Sequence, residues 1–334
     1  MKTLKTIGMA VLSAAMATAL SAAPTEAKVK LNLTLDNAET SLANQANKKF
    51  AEEVAKRTNG EVEIAIHAGG SLGYKGRESY FATRDGAVDI GTTAFDKLVG
   101  VETIYDLQSL PFLTTTIPET QTMFEVAKPY FQKAADKSNL TLLYGAPLTP
   151  VGIWARHPIQ TPEDLKGLKI RTYDVTGTKV LKAAGAAPIQ MAITDVVPAL
   201  STKAIDGILT SDDSGSDLRA WEYGVNQFSS IGYTIAVIAA FINNDVFNGL
   251  KPEHQKALLE SAKVAEAWGF EQGLARIDFN KERMAKGGAV FNDNVPEAVI
   301  THLKQAGAPL VAEWKEKMGP DADKIFEAYK KAMK

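Results

Sequence analysis

Arg171 is the residue whose setting in the sequence first indicates chemistry. It ends a short apolar strand pattern within EDLKGLKIRTYDVTG (163–177), and a turn of small residues and a new helix follow it. A guanidinium group is planar, has five N–H donors and stays charged at physiological pH, so it matches the two oxygens of a carboxylate. Residue types alone nevertheless favour an ordinary surface ion pair between Arg171 and Asp174.

Side-chain sets that support catalysis are missing from the sequence. There is no cysteine, and the four histidines are scattered without the spacing of a metal site. No P-loop, G-x-S-x-G elbow or dinucleotide-binding glycine pattern occurs. The adjacent Asp212 and Asp213 are more typical of a loop or helix cap than of an acid–base dyad. We predict no metal, no cofactor and no enzymatic activity, and a hydrolase assembled from distant residues stays open as an alternative.

Composition and charge indicate an exported globular protein. The 334 residues carry a net charge of −2, which lacks the broad basic surface that nucleic-acid binding requires. Lys2 and Lys5 precede an apolar run from Ile7 to Leu20 and the small-residue stretch SAAPTEA, the layout of a secretory signal peptide. We predict a signal peptide over residues 1–27 and a periplasmic location. Without cysteine, the exported protein depends on its core rather than on disulfides.

Short strand patterns alternate with helix patterns along the chain, which is typical of parallel βαβ construction. RDGAVDIGTT (84–93) and STKAIDGILTS (201–211) each combine a helix end, Ala-x-Asp and an apolar strand that leads to hydroxyl residues. We interpret them as one supersecondary element that is used once in each of two lobes. Two such lobes leave a cleft between the carboxyl ends of their strands, where open α/β sheets bind ligands.

The second half of the chain contains one apolar stretch and then long helical patterns. IGYTIAVIAAFI (231–242) is too short to span a bilayer and predicts a buried strand. Residues 251–288 have apolar positions at helical spacing, which predicts one or two long helices that brace the lobes. Two further helices are expected at 295–306 and from Pro309 to the C-terminus.

Several motifs occur in an order that resembles a known family. They are KKFAEEVAKRTNGEVEI, DGAVDIG, LPFL, PIQTPEDLKGLKIR, GTKVLKAAGAAPIQM, ALSTKAIDGI and NNDVFNGLKPEHQKALLESA. Together they are similar to the extracytoplasmic solute receptors of TRAP transporters, of the DctP type, over essentially the whole mature chain. The expected fold is α/β, a two-lobed periplasmic binding protein fold with a long bracing helix and a ligand cleft. We expect lobe I at 28–148 plus about 237–276, and lobe II at 149–236 plus about 277–334.

The resemblance also implies a function for Arg171. In that family, the arginine that ends the DLKGLKIR strand pairs bidentately with the carboxylate of the solute, and the match falls on Arg171. It implies a receptor that captures a small organic acid, closes by hinge motion and delivers the acid to a small and a large TRAP membrane subunit. We also predict a monomer, because nothing in the sequence suggests a large apolar interface. The alternatives are a receptor for an ABC importer, a periplasmic enzyme that acts on an organic acid, and a structural or chaperone-like protein.

Other cleft residues are expected at the strand ends around Arg171. The family's polar side chain after the second Ala-x-Asp-Gly strand falls on Ser211, with Thr210 and Asp212 beside it. Some candidates have an alternative role: Ser211 as an ordinary strand-end hydroxyl, Asp36 as a helix N-cap and Tyr173 as a packing residue. The full predicted substrate-binding set is Arg171, Ser211, Asp36, Asn37, Thr93, Phe95, Trp154, Arg156, Tyr173 and Asp212.

One departure from the family narrows the class of solute. Receptors for sialic acid have a second arginine twenty residues before the carboxylate-binding one, where this chain has Val151, and Arg156 is off register. The departure argues against a sialic acid and favours a small monoanionic acid. Strand alternation places Trp154 and Arg156 on one face. The aromatic residues Phe95, Trp154 and Tyr173 permit an apolar or aromatic acid.

Overall fold

The computed structural model describes residues 28–334, so the predicted signal peptide lies outside the described residues. The strands are β1 Val29–Thr34, β2 Val62–His67, β3 Ile90–Ala94, β4 Leu140–Pro147, β5 Val151–Ala155, β6 Lys169–Thr172, β7 Ala187–Gln190, β8 Gly207–Ser211, β9 Gln227–Ser229, β10 Val237–Asn243 and β11 Val290–Asn292. The helices are α1 Leu42–Arg57, α2 Arg77–Arg84, α3 Ile117–Asp136, α4 Val175–Ala183, α5 Val196–Ser201, α6 Asp212–Asp217, α7 Asn244–Asn248, α8 Pro252–Lys286, α9 Glu297–Met318 and α10 Pro320–Ala332. None of the helices in this described part combines the length and apolarity that crossing a bilayer requires.

Two sheets divide the protein into two lobes with related topology. The first sheet has the order β2-β1-β3-β10-β4, and the second has the order β11-β9-β5-β8-β6-β7. In the first, β1 is parallel to β2 and β3, whereas β10 is antiparallel to β3; in the second, β6 is parallel to β7 and β8, whereas β5 is antiparallel to β8. The series β2-β1-β3-β10 thus matches β7-β6-β8-β5, and the two similar sequence segments supply β3 and β8. The predicted two-lobed α/β fold is confirmed.

Two chain crossings connect the lobes and bond to each other. One runs from β4 to β5, and the other runs from β9 to β10. The Val151 N–H donates to the Thr234 carbonyl at 2.8 Å, and the Leu148 N–H donates to the Ala236 carbonyl at 2.8 Å. These two crossings therefore form a short two-stranded connection at which hinge motion can occur, while α8 and the C-terminal helices also pass between the lobes.

Helix α8 braces both lobes along its 35 residues. It packs on α1 and β4 of the first lobe and on α6 and β11 of the second. Gly269 lies so close to β4 that an added Cβ would approach Ala146 to 3.1 Å. Arg276 contacts both lobes, because its guanidinium donates to Asp213 on α6 at 2.6 Å and to the Thr40 carbonyl before α1 at 3.2 Å. This helix is the predicted brace.

The C-terminal helices differ from the sequence expectation. Helix α9 continues through Pro309 and ends at Gly319, whose φ of 65° and ψ of −145° suit glycine. It carries Leu303 into the core of the second lobe and Trp314 into the core of the first. Ile325 of α10 also lies in the first core. The segment from 277 onward therefore packs on both lobes, whereas the sequence assigns it to lobe II.

An aromatic cluster forms the core of the first lobe beside the strand ends. β10 is buried at every residue, as its apolar sequence predicts. Phe95, which follows β3, is fully buried, stacks on Phe131 with ring centroids 4.3 Å apart, and contacts Tyr105 and Phe241. Phe95 was expected in the cleft, and the structure instead places it in the core. The cause is the 3-10 turn Phe95–Leu98, which directs Phe95 inward.

We expect Phe95→Ala to lower the free energy of unfolding by about 3–5 kcal/mol, because it empties part of a close-packed aromatic cluster. Phe279→Ala is the matched control, since Phe279 is 52% exposed and contacts Arg276; its cost should stay within about 1 kcal/mol. Urea unfolding of both variants measures the difference. Near-native stability of Phe95→Ala, together with lost solute binding, would show that Phe95 lines the cleft.

Candidate solute-binding cleft

A cavity lies between the lobes at the carboxyl ends of β1, β3, β6 and β8. It has an outer chamber of about 460 Å³ and an inner chamber of about 70 Å³. The residues that line both chambers come from both lobes; they are Asp36, Asp96, Lys97, Arg171, Tyr173 and Ile193. Because open α/β sheets bind ligands at this edge, the cavity is the candidate binding site.

Arg171 lies at the centre of this site and is 2% exposed. Its Nε donates to the Met191 carbonyl at 3.0 Å, which fixes the plane of the guanidinium. Among residues 28–334, neither terminal nitrogen has a hydrogen-bond partner, and the expected ion pair with Asp174 is not formed. Burial lowers the pKa of Arg171 to about 10, which leaves it charged at neutral pH. The site therefore holds a buried cation with two nitrogens free to bind an anion.

Two buried carboxyl groups, one from each lobe, surround this cation. Asp174 caps α4, where its Oδ1 accepts a hydrogen bond from the Gly177 N–H at 2.7 Å. The other oxygen of Asp174 and Oδ1 of Asp96 lack partners within the described chain. Burial raises the pKa of Asp174 to about 8, with repulsion from Asp96 as a further cause, and burial raises that of Asp96 to about 6.

Buried hydroxyl groups continue the polar wall behind these carboxyl groups. The hydroxyls of Tyr173 and Tyr233 from the second lobe and of Ser109 from the first have no partners in the part of the chain described. Burial raises the pKa of both tyrosines well above the usual range, so both phenols are neutral. Tyr173 lines the cavity, and because buried hydroxyls normally find partners, its phenol is available for a polar contact there.

Five predicted site residues line the cavity. They are Arg171, Tyr173, Asp36, Asn37 and Ser211. Asp36 accepts hydrogen bonds from the Gly76 N–H at 2.8 Å and from Lys97 Nζ at 3.4 Å, so it holds the glycine-containing loop before α2. The Ser211 hydroxyl donates to Ser214 Oγ and accepts from the Ser214 N–H as the cap of α6. Its neighbour Thr210 also lines the inner chamber.

The other predicted site residues lie outside the cavity. Trp154 is fully buried, and its indole N–H donates to the Ser211 carbonyl at 3.2 Å. Arg156 donates to the Tyr223 carbonyl at 3.0 Å. The Asp212 carboxylate accepts from the Asp213 N–H within the first turn of α6. Thr93 and Phe95 also lie outside the cavity.

Asp96 and Lys97 are cavity residues that the sequence analysis missed. Both lie in the 3-10 turn directly after β3, next to the expected Phe95. If β3 continued beyond Ala94, strand alternation would put Phe95 and Asp96 on opposite faces. Which of these two residues faces the cavity therefore depends on where the strand stops. The polar character of Asp96 beside a buried aromatic residue was the available signal.

Two crossing segments, a bracing helix and a polar cavity between the lobes define a two-lobed solute-binding protein. Comparison with known proteins gives the family: the profile of the bacterial extracellular solute-binding proteins, family 7, called DctP, matches residues 34–318. The chain therefore belongs to this family.

Similar proteins agree with this assignment. The chain is 26% identical over 298 residues to the 2,3-diketo-L-gulonate-binding periplasmic protein YiaO of Escherichia coli, covering 86% of this chain and 82% of that protein. It is 27% identical over 297 residues to the C4-dicarboxylate-binding periplasmic protein DctP of Rhodobacter capsulatus, covering 84% and 81%. The crystal structure of DctP6, a Bordetella pertussis extracytoplasmic solute receptor binding pyroglutamic acid, matches with a TM-score of 0.86 and 26% identity, covering 91% of this chain and all of that one.

Family membership decides between the alternatives that the sequence left open. The chain is a TRAP-type receptor for small organic acids rather than an enzyme. Members of this family are periplasmic or extracytoplasmic receptors and work with membrane subunits. Between residues 28 and 334, no three His, Cys, Asp or Glu side chains are placed as a metal-ion site.

The buried carboxyl of Asp174 predicts a pH-dependent stability. The ordinary pKa of an Asp is 3.8, and the folded protein raises that of Asp174 to about 8. Between these values the folded protein holds a proton that the unfolded chain has lost, so the free energy of unfolding falls as the pH rises. Asp174→Asn keeps the α4 cap and removes this titration.

We expect Asp174→Asn to gain at least about 1 kcal/mol of stability relative to the unsubstituted protein between pH 5 and pH 8. Urea unfolding without added solute measures it, and Asp293→Asn is the control, because Asp293 is a surface residue that pairs with Lys281. Parallel pH profiles for the Asp174 variant and the unsubstituted protein would show that Asp174 is ionised in the fold.

Proposed function

We propose that the protein captures a small monocarboxylic acid whose carboxylate binds both terminal nitrogens of Arg171, and that it works in the periplasm as a monomer. The observation that carries the proposal is a 2%-exposed guanidinium in an interlobe cavity, whose two terminal nitrogens have no partner in the described part of the chain. Planar, bidentate pairing with a carboxylate satisfies that geometry better than any single contact. Exclusion of water strengthens the pair further.

The charges around the inner chamber favour one carboxylate on the solute. Asp36 and Lys97 pair with each other at 3.4 Å, which leaves Asp96 and Arg171 as the remaining charged groups of that chamber. A solute with one negative charge neutralises the guanidinium, whereas a second negative charge would meet Asp96. Pyroglutamate, which the structurally similar B. pertussis receptor binds, has one carboxylate and is our first candidate for this chain.

Capture by closure follows from the placement of the site on both lobes. Arg171 and Tyr173 belong to the second lobe, whereas Asp36 and Asp96 belong to the first. A solute that contacts both sets gains interactions only when the lobes come together, and this differential affinity stabilises the closed state. The closed receptor would then deliver the acid to the small and large membrane subunits.

The test is solute binding by Arg171→Ala, with Arg156→Ala as the matched control, because Arg156 lies outside the cavity and bonds to Tyr223. A thermal-shift screen of organic acids identifies a ligand, and calorimetry with that acid measures affinity. We expect Arg171→Ala to weaken binding by at least about 30-fold, since it removes a buried charge-assisted pair, and Arg156→Ala to bind normally.

Arg171→Ala should also fold, because the substitution loses one hydrogen bond, to the Met191 carbonyl, but also removes a buried charge that forms no ion pair among residues 28–334. A ligand-free melting temperature no lower than that of the unsubstituted protein would support this expectation. Undiminished affinity of Arg171→Ala for the acid would contradict the proposed anchor.

A further inference from the structure

Asp96 is the second cavity group whose bonding is incomplete. It is 7% exposed, lines both chambers from the first lobe, and has an Oδ1 atom without a hydrogen-bond partner in residues 28–334. Lys97 pairs with Asp36, Nε of Arg171 donates to the Met191 carbonyl, and the hydroxyls of Tyr173 and Tyr233 make no hydrogen bond to this oxygen. If the terminal nitrogens of Arg171 bind the solute carboxylate, Oδ1 of Asp96 still lacks a partner among residues 28–334 and is open to a donor on the solute.

We propose that Asp96 determines specificity by accepting a hydrogen bond from an N–H or O–H group of the solute, an inference that rests on the proposed function. An ionised carboxylate only accepts hydrogen bonds, and a buried acceptor without a partner lowers the stability of the complex. A solute with a donor at this point completes the bonding of Asp96, while its carboxylate completes that of Arg171. Each lobe therefore binds a different group of the same acid.

The Asp96 carboxylate also weakens the binding of acids that lack a donor at this point. A solute that presents an ether oxygen, an ester oxygen or a second carboxylate to Asp96 would place two acceptors against each other in a site that excludes water. Sites built around a buried hydrogen bond discriminate strongly against analogues that lack the partner, because their own polar group is left unpaired. The predicted solute class is a monocarboxylic acid that also carries a ring N–H or a hydroxyl group.

Two acids of nearly identical shape test the inference. L-pyroglutamate has a ring N–H, and 5-oxotetrahydrofuran-2-carboxylate has a ring oxygen at the same place. Calorimetry on the full mature protein should show pyroglutamate binding at least about 10-fold more tightly than the lactone. In Asp96→Asn the preference should shrink to less than about 3-fold, because the amide donates as well as accepts.

Asp36→Asn is the charge control for this experiment. It removes an equal charge from the same cavity, but Asp36 is already bonded to Gly76 and Lys97. Both acids should therefore change affinity together, with their ratio kept. Ligand-free melting curves of both variants establish that each is folded.

The outcomes separate this inference from the proposed function. Equal affinity of the unsubstituted protein for the two acids, or an unchanged ratio in Asp96→Asn, would overturn the role of Asp96 and leave a functioning receptor. Failure of both acids to bind at millimolar concentration would also overturn it. The proposed function would then be judged separately, by the effect of Arg171→Ala on whichever acid the screen identifies.

Discussion

A buried guanidinium with two unpartnered nitrogens is the feature on which the rest of the site depends. Removing a charge from water is costly unless the charge is paired, and within residues 28–334 Arg171 makes only one hydrogen bond, to the Met191 carbonyl. That bond orients the group without neutralising it. Under the proposed function, the pairing comes from the carboxylate of a solute that enters the cavity, and opening of the lobes would expose the pair to water and weaken it.

The duplicated topology explains why the site draws on both lobes. Each lobe brings the carboxyl ends of two parallel strands, β1 with β3 and β6 with β8, to the same cavity. Helices α4 and α6 follow β6 and β8, so their capping residues Asp174 and Ser211 line the cavity for structural reasons. The crossings at Val151 and Leu148 and the bracing helix α8 join the lobes without filling the space between them.

The fold and the cavity position of Arg171 could be predicted from the sequence, whereas much of the first lobe's lining could not. Alternating strands and helices, the repeated Ala-x-Asp element and the apolar stretch of β10 each specify local structure, and the family motif specifies Arg171. The sequence predicts Phe95 in the cleft, whereas the structure has Asp96 there, because the chain leaves β3 through a 3-10 turn. Strand alternation does not predict this turn. Trp154 belongs to the core because Gly215 on α6 leaves room for its indole, a tertiary contact that residue type alone does not reveal.

The most direct measurement of the central claim is a crystal structure of the mature protein with a bound acid that the solute screen identifies. The account predicts closed lobes and a carboxylate whose two oxygens lie about 2.7–2.9 Å from the two terminal nitrogens of Arg171. An acid that is bound elsewhere in the cleft, with those nitrogens facing only solvent or protein, would contradict it.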